Sequence, residues 1–447
     1  MTPPSSDPQA LSEHALAIWS AGVDAVQPEP LVAAAVRAFP GEWRKAIEAT
    51  PRVLVVGGGK AGAPMAAGLE ASLAAQIDCI EGLVNVPEGS SRPLTRIRLH
   101  AARPVGSNHP AEAGVAGAGE MLRLLESAGP NDVAVCLLSG GGSALLPCPT
   151  DGVTLADKQT VTRLLHASGA TIAEMNAVRK HLSRVKGGRL AAAFRGKLLV
   201  SLIISDVVGD PLDVIASGPT VPDPSTFTDA LAVLDRYRII GQVPAPVVER
   251  LRAGAAGSIP ETPKQLPPNV HNLVIGSNAV ALAAARTVAE QLRYTVLDLG
   301  PFVEGEARDV AAAVVGVVRN IRERGEPIPA PACILIGGET TVALGDGSGK
   351  GGRNQEFVLA AAAKLSVERM TGVCVLSGGT DGEDGPTDAA GAVATVETMR
   401  RTAELGLDPR TFLDRHDSYH FFEPVDGLIR TGLTDTNVMD VRVILVV

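Results

Sequence analysis

Short apolar runs that end in glycine recur along the chain, each followed by a segment with helical spacing. VLVVGGG (53–59) leads into APMAAGLEASLAAQ, and VAVCLLSGGGS (133–143) and LLVSLIISDVVGD (198–210) repeat the pattern. LVIGSNA (273–279), ACILIGGET (332–340) and GVCVLSGGTDG (372–382) continue it. Continuous apolar runs of about five or six residues between helices mark strands buried on both faces, which is the signature of parallel sheets. The pattern predicts an α/β protein, doubly wound. Residues 8 to 50 predict helices before the first strand. The stretch 241–268 breaks the alternation with Pro244, Pro246, Pro260, Pro263, Pro267 and Pro268. It is expected to connect two domains, 1–243 and 269–447, through a Pro-rich segment at 244–268.

Length agrees with two domains, since 447 residues exceed what one ordinary core organises. Hydrophobic residues make up 45% but aromatics only 3%, so the cores must be built from Ala, Val, Leu and Ile. The formal charge of −9 speaks against broad nucleic-acid binding, which draws its affinity from basic surface. A local cluster of Lys and Arg could still receive a small anion. The five Cys (79, 136, 148, 333 and 374) form no CxxC pair, and three lie in strand-like runs. This pattern predicts reduced, buried thiols in a cytoplasmic protein. The first residues lack a basic start followed by an apolar run, and no stretch is long enough to span a bilayer, so no membrane partner is expected.

In open parallel sheets, ligands bind beyond the carboxyl ends of the strands. Gly57, Gly59 and Gly62 satisfy G-x-G-x-x-G between a strand and a helix, which raises a nicotinamide-dependent reductase of a hydroxy or keto acid as one reading. The ribose-binding acid of that fingerprint is poorly placed: Asp78 precedes the next strand and Asn85 stands at its far end. Lys60 inside the loop suits an anion at the helix N-terminus better. Gly57, Gly58 and Gly59 are therefore candidate phosphate or substrate contacts. So are Ser139, Gly140, Gly141, Gly142 and Ser143, where three consecutive glycines let backbone approach a ligand. GDGSGKGG (345–352) fails the phosphate-loop pattern, because Leu344 and Gly351 occupy positions that need Gly and Ser or Thr.

Asp206 and Asp210 follow an apolar run, where a carboxylate could take a hydroxyl proton or hold a cation. Arg353 opens a predicted helix with Glu339, Asn354 and Gln355 nearby, and its fork suits phosphate or carboxylate. Asp381, Glu383, Asp384 and Asp388 form an oxygen-rich loop, with Asp381 and Asp384 as candidate Mg²⁺ ligands. The plainer alternatives are turns, caps and an acidic surface loop. His109 and His181 are isolated, and neither a G-x-S-x-G elbow nor an H-E-x-x-H pair occurs, so hydrolase readings fare badly.

These motifs resemble, over almost the whole chain, the glycerate kinases whose C-terminal half is called the MOFRL domain. The matching stretches are VVGGGKAGAPMA, LSGGGSALL, NAVRKHLSRVKGGRLA, SDVVGD with VIASGPTVPDPST, GGRNQE, GGTDGEDGPTDAAGA and TNV at 436–438. The resemblance implies a Rossmann-like α/β/α N-terminal domain plus a smaller C-terminal α/β domain, both with mainly parallel sheets. It implies transfer of the ATP γ-phosphoryl group to the 2-hydroxyl of D-glycerate in an inter-domain cleft, giving 2-phospho-D-glycerate and ADP, with Mg²⁺. It carries catalytic roles onto Lys60, Asp206 and Arg353. An NAD(P)H-dependent hydroxypyruvate reductase is the alternative, because family members often bear that name. ATP and D-glycerate are the expected partners, and the chain is expected to be a monomer or homodimer. Two loops depart from the family pattern. HPAEAG (109–114) lacks a Pro-Asp, and TGLTDTNVMD (431–440) has Leu433, Asp435 and Met439 where the family has Pro, Gly and Asn.

Overall fold

The computed structural model describes residues 4–90, 92–104, 107, 109–345 and 349–447, so Asp346 to Ser348 of the 345–352 loop lie outside the described residues. The chain forms two compact units, residues 28–275 and residues 1–27 with 276–447.

The unit 28–275 is built on a six-stranded sheet. Its strands are β1 (Val53–Gly58), β2 (Ile80–Pro87), β3 (Ile97–Arg103), β4 (Val133–Leu138), β5 (Leu198–Ile204) and β6 (Val270–Gly276). Their order is β3-β2-β1-β4-β5-β6, and β1 pairs in parallel with both β2 and β4, as β4 does with β5. Every residue of β1, β4 and β5 is buried, which is why these runs are continuously apolar rather than alternating. The chain winds outward from β1 to one side and then, from β4, to the other. This is the doubly wound order whose crevice lies at the reversal.

Beside the sheet, the helices Leu155–Ala167, Ile172–His181, Phe227–Arg236 and Ala245–Ala255 share a separate core around Val178, Phe227, Val247 and Leu251. Three of them start with capping boxes, Thr154 with Asp157, Thr171 with Glu174 and Thr226 with Asp229. The Pro-rich stretch expected to connect two domains folds into this unit instead. Its helix Ala245–Ala255 joins that core, Pro263 accepts a hydrogen bond from the Asp223 amide (2.9 Å), and Leu266 packs under the sheet.

The second unit centres on β7 (Thr295–Asp298), β8 (Val303–Glu306), β9 (Ala332–Thr341), β10 (Val373–Gly379), β11 (Gly391–Ala394), β12 (Leu428–Ile429) and β13 (Asp440–Val446). The order is β12-β11-β10-β13-β9-β7, with β8 also on β9. Here the pairing is mixed. β7 and β8 run parallel to β9, whereas β13 is antiparallel to both β9 and β10, and β11 is antiparallel to β10 and β12. The α/β class is as expected, but mainly parallel pairing holds only for the first sheet. Layers on both faces leave the same apolar run whichever way a neighbour points.

The N-terminal helix Pro8–Ala25 belongs to this second unit, although the sequence division placed it in the N-terminal domain. Buried Trp19 donates from Nε1 to the Gly378 carbonyl of β10 (3.1 Å), and His14 meets the Tyr294 hydroxyl (3.0 Å). All five Cys are free thiols; Cys79 is half-buried and the others are buried. Among the described residues no helix is long and apolar enough to cross a membrane.

Candidate active site

Parallel pairing places the carboxyl ends of β1, β4 and β5 side by side, so the loops after them converge. Gly59 and Lys60 follow β1, Ser139 to Gly141 follow β4, and Ser205 and Asp206 follow β5. The Lys60 amide donates to the Gly140 carbonyl (2.8 Å), and the Ala61 amide donates to the Ser139 hydroxyl (3.0 Å). Gly140 packs against the Asp206 carboxylate so closely that a side chain there would collide with it. Gly141 lies beside both the Lys60 and Arg103 side chains; a Cβ there would be 3.5 Å from Lys60 Cγ and 3.7 Å from Arg103 Nη2. The structure thus brings together Lys60, the second glycine loop and Asp206, and adds Arg103 from the end of β3. Lys60 and Asp206 are half-buried, so each keeps access to a ligand.

The first glycine loop works differently from the expectation. Gly57 and Gly58 lie within β1, paired with β2 and β4. The Gly59 amide donates to the Asn85 carbonyl (3.2 Å) and the Gly62 amide to the Gly59 carbonyl (3.1 Å). With the Lys60 and Ala61 amides also engaged, these groups hold the crossover together and are not presented to a phosphate. What the loop offers an anion is the Lys60 side chain.

Ser143, which opens the short helix Gly142–Leu145 with Gly142, is the centre of a buried polar cluster. Its hydroxyl accepts from Lys186 Nζ (2.9 Å) and from Arg179, and it shares a hydrogen bond with the Ser217 hydroxyl (2.9 Å). Lys186 is 1% exposed and also donates to the carbonyls of Ser143 (3.0 Å) and Ala216 (3.2 Å) and to the Ser217 hydroxyl (3.5 Å). Burial pushes its ammonium well below the ordinary lysine range, and neighbouring Arg179 and Lys158 push the same way. Sequence reasoning found Ser143 but not these cations. Their signal was the basic run RKHLSRVKGGR (179–189), which carries no acid.

Asn85 occupies the position where a dinucleotide site needs its ribose acid. It is fully buried, and its amide nitrogen donates to the carbonyls of Leu145 (2.6 Å) and Gly114 (3.2 Å). Asp78 is an exposed surface ion pair with Arg96. His181 is a packed core histidine against Phe227, bonded to the Ala177 carbonyl (2.6 Å) and Glu261 (3.0 Å). Asp210 sits at φ 54° in a turn closed onto the Val207 carbonyl.

In the second unit, the helix Arg353–Arg369 begins beside β13 and the 380–388 loop. Arg353 grips Asp440 with Nε (2.8 Å) and Nη2 (3.0 Å), and its Nη1 meets Glu339 (2.8 Å). Burial opposes the guanidinium charge, but Asp440 and Glu339 outweigh it and hold the group above its ordinary range. Asp440 also receives Arg442 Nη2 (3.0 Å) and Asn354 Nδ2 (2.9 Å). Asp440 and Arg442, both fully buried, were missed from the sequence because nothing local distinguishes them from strand residues.

Asp384 serves the same helix from a distance. Its carboxylate accepts from the amides of Asn354 (3.0 Å) and Gln355 (2.9 Å) and from Asn354 Nδ2 (3.2 Å). Gly352 precedes the helix because Asp384 occupies the space a side chain would need. Burial raises the Asp384 carboxyl to about 6, against the lowering effect of those amides. An acid so fully engaged by helix donors fits a metal poorly; Asp381 is half-buried and accepts from the Glu383 amide (3.2 Å). Among the described residues no three His, Cys, Asp or Glu gather to hold a metal ion. Mg²⁺ in phosphoryl-transfer sites commonly uses only one or two carboxylates with phosphates and water, and Asp206 fits that demand.

Residues 14–252 match a family described as a domain of unknown function, DUF4147, and residues 332–440 match the MOFRL family. The chain is 41% identical over 404 residues to the glycerate 2-kinase of Pyrococcus horikoshii, covering 90% of this chain and 89% of that protein. It is 44% identical over 397 residues to an Agrobacterium vitis protein provisionally named a hydroxypyruvate reductase, covering 88% and 87%. The crystal structure of a glycerate kinase from Thermotoga maritima aligns with a TM-score of 0.87 at 36% identity, over 98% of this chain and all of that one.

Proposed function

This chain belongs to the glycerate kinase family, and from that premise we propose that it transfers the γ-phosphoryl group of ATP to the 2-hydroxyl of D-glycerate. The observation that carries the reading is the convergence of Lys60, the Ser139–Ser143 loop and Asp206 at the reversal point of the first sheet. The 2-hydroxyl oxygen bonds to the γ-phosphorus as the bond to the β–γ bridging oxygen breaks. ADP leaves, and the hydroxyl proton passes to the Asp206 carboxylate. Lys60 supplies positive charge beside the loop, and Gly140 and Gly141 let backbone approach the phosphoryl oxygens. Such a reaction asks mainly for positioning and charge neutralisation. Bound Mg²⁺ would supply further neutralisation of the phosphates, with Asp206 as the carboxylate that fits it. Arg353 is held by Asp440 through Nε and Nη2 and by Glu339 through Nη1, so it reaches an anion only by exchanging the half-exposed Glu339 for it. The free cysteines support a cytoplasmic setting.

A reductase is the second reading, favoured by the glycine fingerprint and disfavoured by buried Asn85 at the ribose position. The deciding experiment incubates purified protein with D-glycerate, ATP and Mg²⁺ and follows ADP release and acceptance of the product by enolase without a mutase. We expect both signals, and a drop of about 100-fold or more in kcat for Lys60→Ala and Asp206→Asn. No ADP release, together with NAD(P)H oxidation on adding hydroxypyruvate, would overturn the reading.

A further inference from the structure

Next to the Ser139–Ser143 loop lies a cavity of about 700 Å³, enclosed entirely by residues of the first unit. Lys158, Arg163, Arg179 and Lys186 line it, with Ser143 and His166 among their neighbours, and no Asp or Glu is among the described lining residues. Lys158 is only 8% exposed and its Nζ has no hydrogen-bond partner among the described residues. Arg179 and Lys186 spend donors on the neutral Ser143 hydroxyl rather than on a carboxylate.

An unpaired buried ammonium is costly, and like charges gathered around one cavity add to the cost. Burial and Arg179 lower the Lys158 ammonium to about 7, the direction expected of a cation with no counter-charge. A fold that keeps such a group is missing an anion. A single carboxylate would leave most of these charges uncompensated, and a three-carbon acid would fill little of the space. Pockets of this volume take drug-sized or nucleotide-sized ligands. A chain of linked phosphates matches the number of cations, two of which, Arg179 and Lys186, converge on Ser143.

We propose that this cavity is a polyphosphate subsite: Lys158, Arg179 and Lys186 receive the phosphate chain of a nucleoside triphosphate, and Ser143 joins it to the glycine loop. The assignment rests on the reading of ATP as phosphoryl donor. Arg163, on the exposed wall, guides the chain inward.

The test is isothermal titration calorimetry of the full-length protein with ATP, inorganic tripolyphosphate and D-glycerate, run on wild type, Lys158→Met and Arg163→Gln. Met keeps the volume of the buried stem, so Lys158→Met should melt above wild type without ligand. It should bind ATP and tripolyphosphate about tenfold more weakly or worse, and D-glycerate as before. Arg163→Gln, at an exposed position, should weaken the same two ligands to a smaller degree with an unchanged melting temperature. Tripolyphosphate affinity within about twofold of wild type in both variants would overturn the assignment, and so would a loss confined to D-glycerate, which would make the cavity a carboxylate site. Absence of glycerate phosphorylation alongside the expected binding losses would sink the kinase reading and leave this subsite standing. Intact phosphorylation with unaltered tripolyphosphate binding would sink the subsite alone.

Discussion

Two clusters of buried positive charge, one in each unit, are treated in opposite ways. In the second unit, Arg353 and Arg442 share Asp440, and Glu339 closes the group, so cation and carboxylate compensate each other within the fold. In the first unit Lys180 is paired with buried Asp223, but among the described residues Lys158, Arg179 and Lys186 meet hydroxyls and carbonyls or no hydrogen-bond partner. The difference teaches where to look for ligand. A completed ion-pair network specifies a local structure and is broken at a cost, whereas an uncompensated cluster is complete only when something anionic arrives.

The largest effect expected from this contrast is at Asp440. Asp440→Ala should destabilise the protein by about 3–5 kcal/mol in chemical denaturation, because it removes the carboxylate that pairs directly with buried Arg442 and releases Arg353. A cost below about 1 kcal/mol would mean the network is solvated and the comparison fails.

A smaller effect of opposite sign concerns Lys158 and its titration. Its folded value near 7 lies below the unfolded value of 10.5, so between those limits the unfolded chain binds more protons. Stability from this group therefore rises with pH across that window, by up to about 1.4 kcal/mol per pH unit. Lys158→Met should lack the rise, and its advantage over wild type should shrink from pH 7 to pH 9. Lys186 loses a like-charged neighbour in Lys158→Met, so the difference reports Lys158 together with its coupling to Lys186. Parallel stability curves would show that the ammonium is not desolvated.

The smallest effect tests backbone strain rather than charge. Asp435 and Met439 hold left-handed conformations, φ 61° and 71°, in the loop that runs into β13. Asp435→Gly relieves the Cβ conflict and should raise stability by about 0.5 kcal/mol, read as a small increase in melting temperature. A decrease would show that the Asp435 side chain stabilises the loop by more than its conformation costs.

Much of the first site was legible in the sequence because its signals are local. An apolar run, a glycine turn and a lone charge at the turn put Lys60, Ser139 and Asp206 at strand ends, and parallel pairing then places strand ends side by side. The role of each glycine was less legible. Gly59 spends its amide on Asn85, and only the packed sheet reveals that. Asp384 shows the same limit: its run of acids reads as a metal loop, yet it anchors the start of a helix through Asn354, 30 residues earlier in the chain.

By itself the sequence determined the α/β class, the positions of the buried strands β1, β4, β5, β9 and β10 and the residues that stand at their ends, because burial on both faces and the tightness of a turn act within a few neighbouring residues. Only the tertiary structure decided that β13 runs antiparallel between β9 and β10, that the N-terminal helix joins the second unit through Trp19, and that Arg353 answers to Asp440, 87 residues away. It alone decided that Lys158 meets no hydrogen-bond partner among the described residues. A partner at that distance leaves no periodic trace, and a charge is compensated or stranded only once the chain has closed around it.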